Sequence, residues 1–521
     1  MRPSLLQCKH WVLLLPLLLS MVGCALPQVR LQDKPPSQAL TPEASVDTML
    51  GQTMSPLLRS HADQSGIMPL VDAYSAFAAR ILLANSAQKT LDVQYYIWRN
   101  DNTGILLLHA LHQAAERGVR VRLLIDDNGI NGSMDARLAA LDSHPQIEVR
   151  LFNPFPFRTF KRLGYLTDFF RLNRRMHNKS YTADNQVTII GGRNVGDEYF
   201  GASEGVLFAD LDVMAIGQVV NDTSKDFDRY WASASAYPAS VLLPAPVAGE
   251  LEALTAAAAR AEQTVTGEGY LKALSESQFI RDFLDGRQDF DWAKVELLSD
   301  SPAKILGDVP KDELMIVDLA RILRSPRQSV DLVSPYFVPT QVGVDGFSAM
   351  AKRGVQVRIL TNALESTDVA AVHAGYAKWR VPLLQAGIQL YEMRAQGSSA
   401  SMANYLGPFG SSGSSLHAKT FTIDGERVFI GSFNFDPRSA RLNTELGFVI
   451  ESPRLAKKVQ EIFATSVPQG AYQVRLDAHE KLYWQSFEHG VEQRYDVDPG
   501  TTWLQRFTVK MLSILPIDWL L

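Results

Sequence analysis

The feature that most constrains this chain is a repeat. Leu91-Asp92-Val93-Gln94-Tyr95-Tyr96-Ile97 reads as a strand, an amphipathic helix follows and ends Ala115-Glu116-Arg117-Gly118, and Val119–Ile125 is the next strand. Later, Val330-Asp331-Leu332-Val333-Ser334 leads into a helix ending Ala351-Lys352-Arg353-Gly354, and Val355–Leu360 is its strand. In both copies a glycine stands where a helix C-terminus favours a left-handed residue. Strand, helix and strand joined by short connections predict a right-handed parallel pair. A third strand follows each time, at Ile147–Phe152 and Ile388–Met393. A unit recurring after about 240 residues is too long for a solenoid and marks a duplicated domain.

The chain has 521 residues, enough for at least two cores, and its apolar (46%) and charged (21%) content is that of a folded globular protein. The halves are placed at 66–235 and 311–465. Between them, 236–310 is less patterned, carries an Ala-rich helix around Leu251–Ala261, and reads as an inter-domain linker region. Gly397–Ser415, dense in Ser, Gly and Ala, reads as a mobile loop placed to gate whatever follows it. Residues 466–521 form a C-terminal extension. Its last part, Trp503–Leu521, has few charges and suits a membrane-interface helix, or equally a helix packed on the core.

The N-terminus reads as a targeting segment. Arg2 and Lys9 accompany the apolar run Trp11–Val22, which is too short for a comfortable membrane span and suits a signal-peptide core. The run ends Met21-Val22-Gly23-Cys24, similar to the lipobox of bacterial lipoproteins, with Met21 where leucine is usual. Residues 1–24 are therefore expected to be a signal peptide, with Cys24 lipidated and the body held at a membrane of the bacterial cell envelope, facing the periplasm. A plain signal peptide or an uncleaved anchor is the alternative. Residues 25–65, rich in Pro, Ser, Gln and Thr, read as a linker, either a tether or an extended wrap. Cys8 and Cys24 are the only cysteines, so the body holds no disulfide or cysteine–metal framework. A net charge of −5 carries no nucleic-acid signature, and any anion site must be local.

Each half contains such a site. His177-Asn178-Lys179-Ser180-Tyr181-Thr182-Ala183-Asp184 is followed by Gly191-Gly192-Arg193-Asn194. His417-Ala418-Lys419-Thr420-Phe421-Thr422-Ile423-Asp424 is followed, at the same spacing, by Gly431-Ser432-Phe433-Asn434. On an extended strand, residues i and i+2 share a face, so each motif presents an imidazole beside an ammonium. The returning strands Val187–Ile190 and Val428–Ile430 end in small residues that let backbone approach a ligand. Asn194, Ser432 and Asn434 are the candidate substrate-binding residues. Two such sets facing each other would surround one small anion, and a phosphate diester fits. A chance origin for two matched copies is remote. Asp184 and Asp424 close the motifs and, from their place, brace the turn rather than touch phosphate.

This doublet resembles the signature of the phospholipase D superfamily. Leu91–Trp98, Arg174–Ser180, Gly431–Ser439 and the C-terminal Ser513–Leu521 are similar, within it, to the cardiolipin synthase C-like branch. The resemblance covers roughly residues 70–521 and implies an α/β fold. Two duplicated α-β-α sandwich domains would pack around a pseudo-twofold with one shared active site, whose catalytic motif residues would be His177, Lys179, Asp184, His417, Lys419 and Asp424. It implies a ping-pong reaction with no metal and no cofactor. One histidine attacks phosphorus, and the other protonates the leaving alkoxide and then deprotonates the incoming hydroxyl. Imidazole can play both parts near neutral pH, and Lys179 and Lys419 can offset phosphoryl charge. The family's usual order makes His177 the nucleophile and His417 the acid/base, although the two motifs are too alike to separate these roles.

Each histidine needs a carboxylate to fix its tautomer, and Asp212 and Glu445 are the candidates. Basic and aromatic residues alternate over Arg158–Arg175, which suits an anionic lipid surface or a solvated segment. His373 is a further candidate for the site. The implied activity makes cardiolipin from phosphatidylglycerol, with phosphatidylethanolamine or a second phosphatidylglycerol as donor. A hydrolytic phospholipase, a nuclease and a non-catalytic lipid-binding lipoprotein are the alternatives. The sequence specifies neither the oligomeric state nor any small accessory protein.

Overall fold

A computed structural model describes the chain from residue 37 onward, apart from 201–209, 265–266, 271, 273–281, 284, 325, 396–415 and 489–490, together with residues 26, 27, 29 and 35. The signal segment with Cys24 and the loop at Gly397–Ser415 lie outside the described residues.

The two halves carry the same six strands. In the first they are β1 (Thr90–Tyr95), β2 (Arg120–Asp126), β3 (Ile147–Phe152), β4 (Ser180–Ala183), β5 (Val187–Gly191) and β6 (Asp212–Gly217). In the second they are β7 (Ser329–Val333), β8 (Gln356–Asn362), β9 (Gln389–Met393), β10 (Thr420–Ile423), β11 (Arg427–Gly431) and β12 (Leu446–Ile450). Their orders match, β3-β2-β1-β4-β5-β6 and β9-β8-β7-β10-β11-β12. β1 and β2 run parallel, as do β7 and β8, and the motif strands β4 and β10 return antiparallel beside them.

Local chemistry sets these elements. Asp101 caps the helix Asn102–Glu116 by accepting the Gly104 N–H, and Gly118 beyond that helix has φ 92°. Gly354 repeats this after the helix Thr340–Lys352, with φ 85°. The central strands are buried on both faces, as parallel sheets require. Val121, Leu123 and Ile125 pack with Leu107 and Leu111 of the helix on one side, while Leu124 meets Phe227 and Trp231 of the helix Gln218–Trp231 on the other. Each half is therefore an α-β-α sandwich. A third core joins the halves, with Ile190 and Val213 of the first sheet against Ile430 and Phe448 of the second. The duplication reaches buried charge. Arg122 donates twice to Asp92 at 2.7 and 2.8 Å, and Arg358 donates twice to Asp331 at 2.6 and 2.9 Å, both pairs lying across the parallel strands.

Three boundaries differ from the sequence expectation. The region 236–310 is not a linker. Ala236–Pro238 pairs with β3, Asp291–Ala293 with the strand Ser65–Leu70, and Val295–Ser299 with β12, so the chain crosses between sheets at Lys294. Residues 466–521 add three strands to the second sheet, at Ala471–Leu476, Leu482–Glu488 and Val491–Tyr495. Within 25–65, Met49–Arg59 is a helix that buries Leu50 and Met54. Just before it the chain is a wrap, where the carbonyls of Pro35, Ser37 and Gln38 accept from Arg150, Arg122 and Arg120. Among the described residues no helix is long and apolar enough to cross a membrane.

Asp184 and Asp424 stand at the ends of β4 and β10 with φ 51° and 55°. Asp184 accepts the N–H groups of Gln88, Lys89 and Thr90, and Asp424 those of Arg327, Gln328 and Ser329. They brace the turn and are not part of the catalytic cluster. Each holds donors that would otherwise cost about 1–3 kcal/mol apiece where buried.

Candidate active site

Sheet pairing brings the two motifs to one place. β4 starts beside the C-terminal end of β1, with Ser180 opposite Gln94, and β10 starts beside that of β7, with Thr420 opposite Val333. Just ahead of β4, His177 N–H donates to the Thr444 carbonyl at 2.9 Å and Thr444 N–H to the Arg175 carbonyl at 3.0 Å, a bridge between the halves. Asn178, which alternation turns away from the site, accepts the Thr444 hydroxyl at 2.7 Å and pins the same junction.

The histidines are held reciprocally across that junction. His177 Nδ1 lies 2.8 Å from Glu445 Oε2, and His417 Nδ1 lies 2.6 Å from Asp210 Oδ2. Each half thus orients the imidazole of the other. With Nδ1–H given to a carboxylate, Nε2 of each ring is left for chemistry. Lys179 and Lys419 both donate to the carbonyl of their own motif histidine. Tyr96 packs edge-on against His177 at 5.2 Å and Tyr199 against His417 at 5.4 Å. His177 and both ammonium groups are buried, and the His417 side chain is 15% exposed. The arrangement sets two imidazoles and two lysines close enough to act on one another, enough to bind, attack and protonate a phosphate ester.

A family described as "Cardiolipin synthase, PLD-like domain" matches this chain twice, at 81–231 and 319–467, one match per half. Cardiolipin synthase C of Escherichia coli (strain K12) is 50% identical to it over 91% of this chain and 99% of that protein. The chain belongs to the phospholipase D superfamily, in its cardiolipin synthase branch. A cardiolipin synthase of Staphylococcus aureus (strain Mu50) is 25% identical over 81% of this chain and 71% of that protein. A solved phosphatidylserine synthase of Haemophilus influenzae has the same fold, with TM-score 0.51 and 12% identity over 81% of this chain and 92% of that one.

Within this phospholipase D site, two candidates have other work. Asp212 does not orient a histidine. Its Oδ2 accepts from Arg80 at 2.8 Å and its Oδ1 from the Arg193 amide, so it anchors buried cations behind the site. The orienting carboxylate is Asp210, two residues earlier. Register explains the choice: Asp212 pairs with Gly191 and Gly447 with Gly431, so the counterpart of Glu445 is Asp210. The shared acidic–leucine step, Asp210-Leu211 and Glu445-Leu446, was the signal that sequence reasoning passed over; Tyr96 and Tyr199 carried none.

Ser432 is also committed, since its hydroxyl donates to Glu445 Oε2 and accepts the Leu446 N–H. The matching position is Gly192, where a Cβ would lie 2.1 Å from Asp210 Oδ1. Asn194 accepts the Ile97 N–H through its carbonyl, and Asn434 Oδ1 is buried without a partner. His373 lies elsewhere, with Arg380 Nη2 at 2.8 Å from its Nε2 and Asp498 nearby.

Burial dominates the site's electrostatics. It pushes His177 well below the ordinary imidazole value, with Lys179, Lys419 and His417 adding to the effect. That mutual influence places the four groups in one field. Burial and Lys419 also lower His417, but Asp210 works against them. Lys179 is pushed down by burial to about 7, and Lys419 is lowered for the same reason. Burial alone would raise Asp210, yet His417 and Lys419 hold it below the carboxylate range, whereas burial leaves Glu445 raised.

A pH dependence follows. The protonated forms of His417 and Lys179 are present at low pH and are lost as pH rises through their depressed values. With a soluble short-chain phospholipid, kcat/KM is expected to fall already through the neutral range and to steepen above about pH 7 as the second proton leaves. A profile flat to pH 8 would contradict these ionisations.

Proposed function

We propose that this chain makes cardiolipin by transferring a phosphatidyl group to the terminal hydroxyl of phosphatidylglycerol through a phosphohistidine on His177. The observation that carries this is the reciprocal bracing of His177 by Glu445 and His417 by Asp210 across the junction of the halves, with Lys179, Lys419 and His417 all close enough to act on His177. The 50% identical relative named cardiolipin synthase C supports the choice of substrate.

Nε2 of His177 attacks phosphorus, the bond to the departing ethanolamine or glycerol oxygen breaks, and His417 gives that oxygen a proton. His417 then takes the proton of the acceptor hydroxyl, whose oxygen attacks phosphorus while the P–N bond breaks. His177 is the better nucleophile because it is held further toward the neutral form. His417 is the better acid because the carboxylate beside it stays ionised. Asn194, Asn434 and the two lysines hold the phosphoryl oxygens. The donor is phosphatidylethanolamine or a second phosphatidylglycerol.

The body works against a membrane surface, which it meets through apolar side chains. In Arg158–Arg175 three cations turn inward, Arg158 and Lys161 to Asp127 and Arg175 to Asp126, while Phe160, Leu166 (84% exposed) and Phe170 face out. Trp503 (70% exposed), Phe507 and Ile514 of the helix Trp503–Ile514 do the same. Arg438 ties the ends of the two segments by donating to the carbonyls of Asn173 and Leu520. A lipidated Cys24 facing the periplasm would keep the body at that surface.

The test is lipid mass spectrometry of a cardiolipin-null bacterial strain expressing the chain. Cardiolipin is expected with the wild-type protein and none with His177→Ala. Phosphatidic acid without cardiolipin would replace the synthase by a hydrolase.

A further inference from the structure

Beside the second motif lies a cleft of about 1050 Å³, at the upper end of ligand-sized cavities. The helices Met315–Leu323, Thr340–Lys352 and Pro437–Arg441 wall it, with Leu323, Val338, Phe347, Met350 and Phe433 among its apolar lining and Trp519 at one side. It reaches the backbone on either side of Asn434. Phe433 and Phe435 flank Asn434, and the Val338 N–H donates to the Phe435 carbonyl at 2.7 Å, fixing the start of Thr340–Lys352 there. From that point the helix leads away for about 20 Å.

The wall is kept open by sequence. Gly343 and Gly346 lie inside the helix and on the cleft, and a Cβ at Gly346 would meet no atom within 4 Å. Each costs about 1 kcal/mol of helix stability relative to alanine, so two together mark space that is held rather than left over. The rim is cationic. Lys311, Arg324, Arg353 and Arg441 line it, are exposed, and make no ion pair among the described residues. The two lining carboxylates are occupied: Asp518 accepts from Lys378 at 2.6 and 2.7 Å, and Asp436 caps the helix Pro437–Arg441 through the Ser439 N–H at 2.7 Å.

We propose that this cleft seats the acyl chains of the acceptor lipid, an anionic phospholipid, with its phosphate on the cationic rim. The proposal rests on the phosphatidyl-transfer reading. In that reaction only the donor phosphate meets His177, Lys179 and Lys419. The acceptor phosphate stays intact and charged, so it needs cations of its own outside the centre, and the rim supplies them next to an apolar slot. A head group held there reaches the site with its hydroxyl while its chains stay out of the membrane-facing patches.

Two measurements test it. In vesicles containing the donor, phosphatidylglycerol and added ethanol, the ratio of cardiolipin to phosphatidylethanol is expected to fall at least tenfold in Gly346→Trp and in Arg324→Glu/Arg441→Glu. An unchanged ratio, or equal loss of both products, would overturn the proposal. Independently of turnover, phosphatidylglycerol carrying a diazirine at the chain end is expected to label peptides within 314–324 or 340–353 of His177→Ala protein, and a zwitterionic phosphatidylcholine analogue is not. Labelling elsewhere, or equal labelling by both lipids, would sink the cleft assignment. Absence of both products from wild-type protein, with selective labelling retained, would instead remove the transfer reading.

Discussion

His417→Asn is expected to release one equivalent of p-nitrophenol from a p-nitrophenyl phosphatidyl donor and then stop. This leaving group departs without a proton, so the first step survives loss of the acid. The second step does not, because no base remains to take the proton of the acceptor, and the phosphatidyl group stays on His177. Steady-state turnover should fall by about 10³-fold or more, the upper range for a positioned acid/base. His177→Asn should give no burst at all, since the other motif imidazole, His417, is held toward Asp210 through Nδ1 and cannot replace it without a new geometry. Acid-labile label on a peptide containing His177 would identify the bond. A burst from His177→Asn and none from His417→Asn would exchange the two roles and leave the fold untouched.

Much of this architecture was legible in the chain because it rests on local chemistry written twice. Strand alternation and the glycine beyond each helix located β1, β2, β3, β5, β7, β8, β9 and β11 to within a residue or two, while His177 and His417 proved to stand just ahead of β4 and β10. The glycines succeed because positive φ is a backbone requirement that few other residues meet, as at Gly118 and Gly354. What was lost depends on register across sequence-distant strands. Asp210 and Asp212 differ only in which one lies level with Gly191, and that is fixed by pairing with β5. The same limit hid the strands in 236–310. Val295–Ser299 gains its identity from β12, some 150 residues later, and has no strong pattern of its own. The aromatic-basic segment was only partly legible for another reason. Composition showed the cations, but only folding shows that Asp126, Asp127 and Asp135 draw Arg158, Lys161 and Arg175 inward and leave Phe160 and Phe170 at the surface.

The Asp210–Asp212 distinction carries the second large effect. Asp210→Asn keeps shape and most hydrogen bonds but removes the charge that supports a protonated His417. An amide in place of an orienting carboxylate costs up to about 10⁴-fold in kcat in serine-protease triads, and a loss of about 10³-fold is expected here with little change in melting temperature. Glu445→Gln should act alike through His177, and rescue of neither by higher substrate would mark the defect as chemical. Asp212→Asn should behave in the opposite way. Its Oδ2 is the counter-charge of Arg80, a fully buried guanidinium whose other hydrogen bonds among the described residues go to Tyr95 and the Ala76 carbonyl, beside the Phe200 ring. Leaving such a cation without its partner costs about 3–5 kcal/mol, so the variant should unfold at lower temperature while its folded fraction keeps near-normal kcat. Calorimetry and turnover on the same samples separate the cases. If Asp212→Asn lost chemistry at full stability and Asp210→Asn lost stability at full chemistry, the carboxylate that orients His417 would have to be reassigned.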